Sequence, residues 1–138
     1  MIDQKTAPFA ALVLRITMGI MFLAHAYLKG FVFGLVGSGK YFVSLGLPDW
    51  FIYPVIVLEA VGGLALVFGV YARWFSLALF AELLGTIVVA HGANGWVAGA
   101  KGGGWEFPAL WAAALLALAL FGDGALALAR SPALPGGK

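Results

Sequence analysis

The chain has 138 residues, of which 63% are hydrophobic and 10% charged, and its mean hydropathy is +1.02. A soluble domain carries about 25% charged residues, so a water-soluble globular domain, a disordered tail and a nucleic-acid binder all fit poorly. Lys+Arg 8 against Asp+Glu 6 leaves a net charge of only +2, and the lack of cysteine removes disulfides, thiolate metal sites and cysteine nucleophiles.

The apolar residues come in four blocks, each near the ~20 residues that a helix rising ~1.5 Å per residue needs to cross ~30 Å of hydrocarbon. The first predicted span covers about 9–29, opens beside Pro8, and contains Arg15 and His25. Lys5, the apolar run and Ala24-His25-Ala26 imitate a cleaved leader, but Arg15 interrupts the run, so this segment is expected to remain. A glycine-rich link, Gly30 to Trp50, carries a short amphipathic run, Lys40 to Leu45, expected at the interface or folded partly back into the bundle. The second span, about 51–70, contains Glu59. After the short link Tyr71-Ala72-Arg73, the third span, about 74–93, contains Glu82 and His91. The link from Gly92 to Trp105 holds three successive glycines at 102–104. The fourth span runs over about 107–129, through Gly122-Asp123-Gly124.

None of the blocks shows the strict alternation of a barrel strand. The expected fold is an all-α integral membrane protein, an antiparallel four-transmembrane-helix bundle forming a single domain over 1–138. Trp50, Trp74, Trp96, Trp105, Tyr27 and Tyr71 lie near predicted helix ends, as an aromatic belt would. An even number of spans puts both termini on one side. Lys5, Arg73, Arg130 and Lys138, with Arg15 nearby, then oppose Lys29, Lys40 and Lys101, and the excess of positive charge assigns the termini to the cytoplasm.

Ionisable groups in hydrocarbon cost ~2.5–3.5 kcal/mol each at a helix centre, so each calls for a partner or a function. Counted from the terminal side at ~1.5 Å per residue, Arg15 lies about 9 Å deep, Glu82 about 11–12 Å and Glu59 about 18 Å. His25 and His91 lie at about 24–26 Å, with Lys29 and Glu106 at the opposite rim. The expectation is an outward-facing polar pocket lined by His25, Lys29, Glu59, His91 and Glu106. Arg15 is expected to form a structural ion pair with Glu59. Glu82 and His91 are nine positions apart and so face opposite ways on a straight helix at ~100° per residue. His91 is therefore assigned to the pocket and Glu82 to a contact with another helix or subunit. Glu59 shares its face with Gly62 and Gly63, small residues that let a neighbouring backbone approach.

Several chemistries are missing. Ser38, Ser44 and Ser76 have no neighbouring base, no phosphate-binding fingerprint follows a strand, and no H-x-x-H pair occurs. A metal held by His25, His91, Glu59 and Glu106 is chemically possible but has no support in spacing.

The order Leu14-Arg15-Ile16, Gly19, Phe22, His25 and Lys29, then Tyr41 to Pro48, then Glu59, Gly62-Gly63, Gly69 and Arg73, then His91, Glu106 and Gly122-Asp123-Gly124 resembles the DoxX family of small four-helix membrane proteins. The resemblance implies a bacterial inner-membrane protein related to the small subunit of thiosulfate:quinone oxidoreductase and to membrane complexes handling thiol or oxidative stress. Thiol chemistry by this chain itself conflicts with its lack of cysteine. The functional expectation is a membrane-embedded subunit of a quinone- or thiol-linked oxidoreductase system. Quinone is the leading ligand and a metal a lesser one. Nothing in the chain holds electrons, so a flavin, haem or thiol partner must supply them, and a protein partner or a second copy is the expected assembly. In the pocket His25 and His91 would hold the ligand and donate protons, since an imidazole titrates near neutrality. Lys29 would stabilise developing negative charge, and Glu59 would orient a histidine or carry a proton. The alternatives are a non-catalytic scaffold or assembly subunit, and a small transporter or metal-handling protein.

Overall fold

In the computed structural model, residues 3–132 are described, and five α-helices account for most of them. Helix α1 (Ala7–Tyr27) begins on Pro8, whose missing N–H costs nothing in a first turn, and runs on into a π-helical turn, Leu28–Val32. The amphipathic link forms a short helix, α2 (Gly34–Ser44). Helix α3 (Ile52–Phe68) follows a 3-10 turn at Asp49–Phe51, and α4 (Ala72–Thr86) continues through a second π turn, Ile87–His91, and a 3-10 turn, Gly92–Asn94. Helix α5 (Glu106–Phe121) completes the bundle.

Three continuous helical stretches are long and apolar enough to cross a membrane: Ala7–Val32, Asp49–Phe68 and Ala72–Asn94. Their outer surfaces are apolar. Val13, Ile20, Val88 and, on α5, Leu110 and Leu120 are all exposed, which is tolerable only against lipid. The interior is built from Phe22, Leu66, Leu79, Leu115 and Leu118, all fully buried, with alanines between them. Helices α1 and α3 meet at Gly19 and Gly63. A Cβ on Gly19 would sit 2.7 Å from the Gly63 carbonyl oxygen, and one on Gly63 would sit 2.9 Å from that of Gly19. No larger residue permits this approach. In lipid, where apolar surface gains nothing by association, such close backbone packing is a principal source of helix–helix affinity.

Helix α5 is shorter than the expected fourth span. Its 16 residues reach about 24 Å, and the chain leaves the helix at Gly122 (φ 91°) instead of continuing to 129. The following segment turns back as a strap across the terminal end of the bundle. There the Ala125 N–H donates to the Pro8 carbonyl, and those of Leu128 and Ala129 donate to Phe68 and Gly69, while Ala129 accepts from Tyr71. Gly69 (φ 66°) is required twice over, for its left-handed turn and because a Cβ would meet both the Arg15 guanidinium and the Ala127 backbone. Lys138, part of the expected positive terminal set, lies outside the described residues.

Candidate functional site

The π turn after α1 carries Lys29, whose Nζ meets Glu59 Oε1 on α3 at 2.5 Å. A π turn inserts one residue into the helical register and so changes which way its side chains point. Ser38 on α2, itself buried, holds this turn by donating its hydroxyl to the Lys29 carbonyl at 2.9 Å. Glu59 is 3% exposed, and its second oxygen has no hydrogen-bond partner. The Glu82 carboxyl on α4 lies beside both Glu59 and Lys29, and its Oε2 is also buried without a partner. The interior therefore contains two carboxyl groups and one ammonium. If both carboxyls were ionised the group would carry a net −1 in a low-dielectric setting, so one proton or one further donor is needed to balance it.

His25, one turn before Lys29, points its Nδ1 at the Met21 carbonyl, 2.8 Å away, and its ring packs on Trp111 of α5 with centroids 4.9 Å apart. Trp111 also packs on Phe22, and its indole N–H is buried with no acceptor. The cluster thus leaves two acceptor oxygens unpartnered, and a donor on α5 is likewise unpaired.

The remaining predicted residues are placed elsewhere. His91 ends the second π turn and engages the Gly103 carbonyl at 2.9 Å, while Glu106 Oε1 accepts the Ala98 N–H at 2.9 Å. Asn94 binds the same glycine-rich loop through the carbonyls of Gly102 and Gly103, and Trp96 packs edge-on against Trp105. His91 and Glu106 are braces for the loop between α4 and α5, and the five residues expected in one pocket do not converge. Among the described residues no group of three or more His, Asp or Glu is arranged to hold a metal ion, so the four-residue metal set does not assemble. A cleft of about 370 Å³ at this end lies between α2 and the start of α3, beside Lys40, Asp49, Trp50 and Tyr53.

One pairing differs from expectation. Arg15 does not reach Glu59. Its guanidinium donates to the carbonyls of Leu66 (3.0 Å) and Val67 (2.8 Å) at the end of α3, and to Ala125 in the strap (2.8 Å). The last carbonyls of a helix have no intrahelical partner and carry its negative pole, which makes them natural acceptors for a buried cation. Glu82 does contact another helix, beside Glu59 on α3, and it is Glu82 and not His91 that joins the cluster. Glu82 as a member of the cluster, Ser38 and Trp111 are what sequence reading missed. For Trp111 the available signal was its place five residues inside α5, away from the belt of end-positioned aromatics.

At the opposite end, Asp123 caps α4 from another part of the chain. Its Oδ1 accepts the Arg73 N–H (3.3 Å) and the Ser131 hydroxyl (2.8 Å), and its Oδ2 accepts the Ser131 N–H (2.7 Å). Burial alone would raise this carboxyl, but the hydrogen bonds from Ser131, Arg73 and Ala72 outweigh it and hold the group below its ordinary 3.8.

Apolar helices of spanning length with a charged cluster in their interior define a small multi-pass α-helical membrane protein in contact with the lipid bilayer. Residues 10–92, from α1 through the second π turn, match the family model described as DoxX, and the chain belongs to the DoxX family. It is 31% identical over 85 residues to the Bacillus subtilis (strain 168) protein named "Putative oxidoreductase CatD", covering 62% of each chain. It is 35% identical over 74 residues to the Escherichia coli (strain K12) protein named "Inner membrane protein YqjF", covering 54% of this chain and 55% of that one. The chain thus spans less than two thirds of the length of either relative. No solved structure matches it.

Proposed function

We propose that this protein is an inner-membrane subunit of an oxidoreductase system, in which Lys29, Glu59, Glu82 and His25 handle the protons of a quinone's reduction. The carrying observation is the buried Lys29–Glu59 ion pair with a second carboxyl beside it and two carboxyl oxygens left without partners. Such a group is one positive charge short of balance, which suits it to hold and release a proton. The names of the two relatives agree with this reading in oxidoreductase character and in membrane.

Reduction of a quinone to a quinol takes two electrons and two protons. The electrons come from a flavin- or thiol-bearing partner, since this chain has no cysteine. Lys29 stabilises negative charge developing on a quinone oxygen, Glu59 and Glu82 share the proton that reaches it, and His25, held against Trp111, is the second donor. His91 and Glu106, which the sequence placed in the same pocket, serve the loop above it. The termini lie in the cytoplasm. Lys5, Arg73 and Arg130 collect at the terminal end, whereas Lys29 at the other end is taken up by its ion pair and leaves Lys40 and Lys101.

Binding of a short-chain quinone to the purified protein tests this, by tryptophan fluorescence quenching. Wild type is expected to bind, Glu59→Gln and His25→Ala to bind at least tenfold more weakly, and His91→Ala to keep wild-type affinity. If wild type does not bind, or if Glu59→Gln and His25→Ala bind as wild type does, the quinone reading is wrong.

A further inference from the structure

The terminal end of the bundle contains a second cleft, of about 330 Å³, where the start of α1, the start of α4 and the strap meet. Its walls include Gln4, Pro8, Arg73, Asp123, Arg130 and Ser131. Two arginines face one carboxylate here, and that carboxylate is already spent. Both Asp123 oxygens are engaged by Ser131, and one of them also by the Arg73 backbone N–H, and neither arginine forms an ion pair among the described residues. The Arg73 side chain makes one long contact, 3.5 Å from Nη1 to the Pro132 carbonyl, and its Nε is buried with no acceptor. A buried guanidinium N–H without an acceptor is costly, and an anion is the partner with the matching geometry.

The surroundings identify the source of that anion. Phe9, Tyr71, Phe121, Leu126 and Leu128 are all large, apolar and exposed around this end, Leu126 and Leu128 being 79% and 75% exposed. The strap thus presents leucines outward at the level of the helix ends, where a bilayer's acyl boundary meets its headgroups. Guanidinium groups in a cleft and apolar side chains on its rim match the two parts of a phospholipid. We infer that Arg73 and Arg130 form a binding site for the phosphate of an anionic phospholipid, whose acyl chains lie against Phe121 and the strap leucines. The ligand would bridge α1, α4 and the strap, adding to the backbone hydrogen bonds, Asp123 and Arg15 that already join them.

Native mass spectrometry of the detergent-solubilised protein, titrated with phosphatidylglycerol or with phosphatidylcholine, tests the inference. Wild type is expected to prefer phosphatidylglycerol. At roughly 1 kcal/mol per basic residue, Arg130→Gln should weaken that binding about fivefold, and Arg73→Gln/Arg130→Gln should abolish the preference. Lys40→Gln, a cation at the opposite end, should leave it intact. Arg130 is exposed, so its substitution carries little risk to folding. Inorganic phosphate added at the lipid's concentration should not compete. Equal binding of both lipids by wild type, wild-type preference in Arg130→Gln, or full displacement by inorganic phosphate would each overturn the inference. None of these outcomes depends on quinone binding.

Discussion

Lys29 and Glu59 meet inside the bundle at 2.5 Å although 30 positions separate them, the lysine entering from a π turn and the glutamate from the middle of α3. The pair is asymmetric. The Glu59 side chain is 4% exposed and that of Lys29 22%, so the carboxylate depends on the lysine more than the reverse.

Removing the lysine therefore leaves an uncompensated buried charge. Lys29→Met is expected to destabilise the protein in detergent by about 3 kcal/mol, the lower end of the range for breaking a buried pair, because Lys29 is partly solvated. Lys29→Met/Glu59→Leu should regain most of that loss. Thermal unfolding of both variants checks the order.

The Gly19–Gly63 contact makes a prediction of opposite character, from space instead of charge. Gly19→Ala puts a methyl 2.7 Å from a carbonyl oxygen that belongs to a packed helix and cannot move aside. A cost of about 1–3 kcal/mol is expected from overpacking. Gly37→Ala, where a Cβ meets nothing within 4 Å, should be neutral or slightly stabilising in α2. The two unfolding midpoints, compared in one detergent, decide it.

Arg15 ties the strap to the bundle by bonding α3 carbonyls and Ala125 at once. Lysine keeps the charge but not the fork that reaches three acceptors. Arg15→Lys should lose about 1.5–3 kcal/mol, the worth of one hydrogen bond to a charged group. Its signature is local: amide exchange of Leu128 and Ala129 should accelerate while that of α4 stays unchanged.

Asp123 gives the strap a pH dependence. Its carboxyl is held below 3.8 in the folded chain, so its contribution is complete above that value and is lost as pH falls through the lower, folded value. The strap should loosen only in strong acid, and Asp123→Asn should remove the acid transition while weakening the strap at neutral pH. Hydrogen exchange of Ser131 and Ala125 against pH measures both.

Hydropathy alone carried the class of fold and most helix positions. The 9–29, 51–70 and 74–93 blocks correspond to helices running over Ala7–Val32, Asp49–Phe68 and Ala72–Asn94. In hydrocarbon a backbone must satisfy its own hydrogen bonds, so a long apolar run without barrel-strand alternation is driven into a helix whatever its neighbours do. The need for a partner at Glu59 was equally legible, because the cost of a lone buried charge is a property of the residue and its depth. Which partner answered that need was not. Arg15 found the open carbonyls of α3 nearer than any carboxylate, and two π turns shifted the phase that an ideal ~100° per residue assigns to Lys29 and His91. The strap was hidden for a related reason, since residues 125–129 are as apolar as a helix and only the turn at Gly122 sends them back across the bundle. Depth follows from sequence by counting. Direction and partner are decided over a few ångströms, by side-chain reach and helical phase, once the helices have packed.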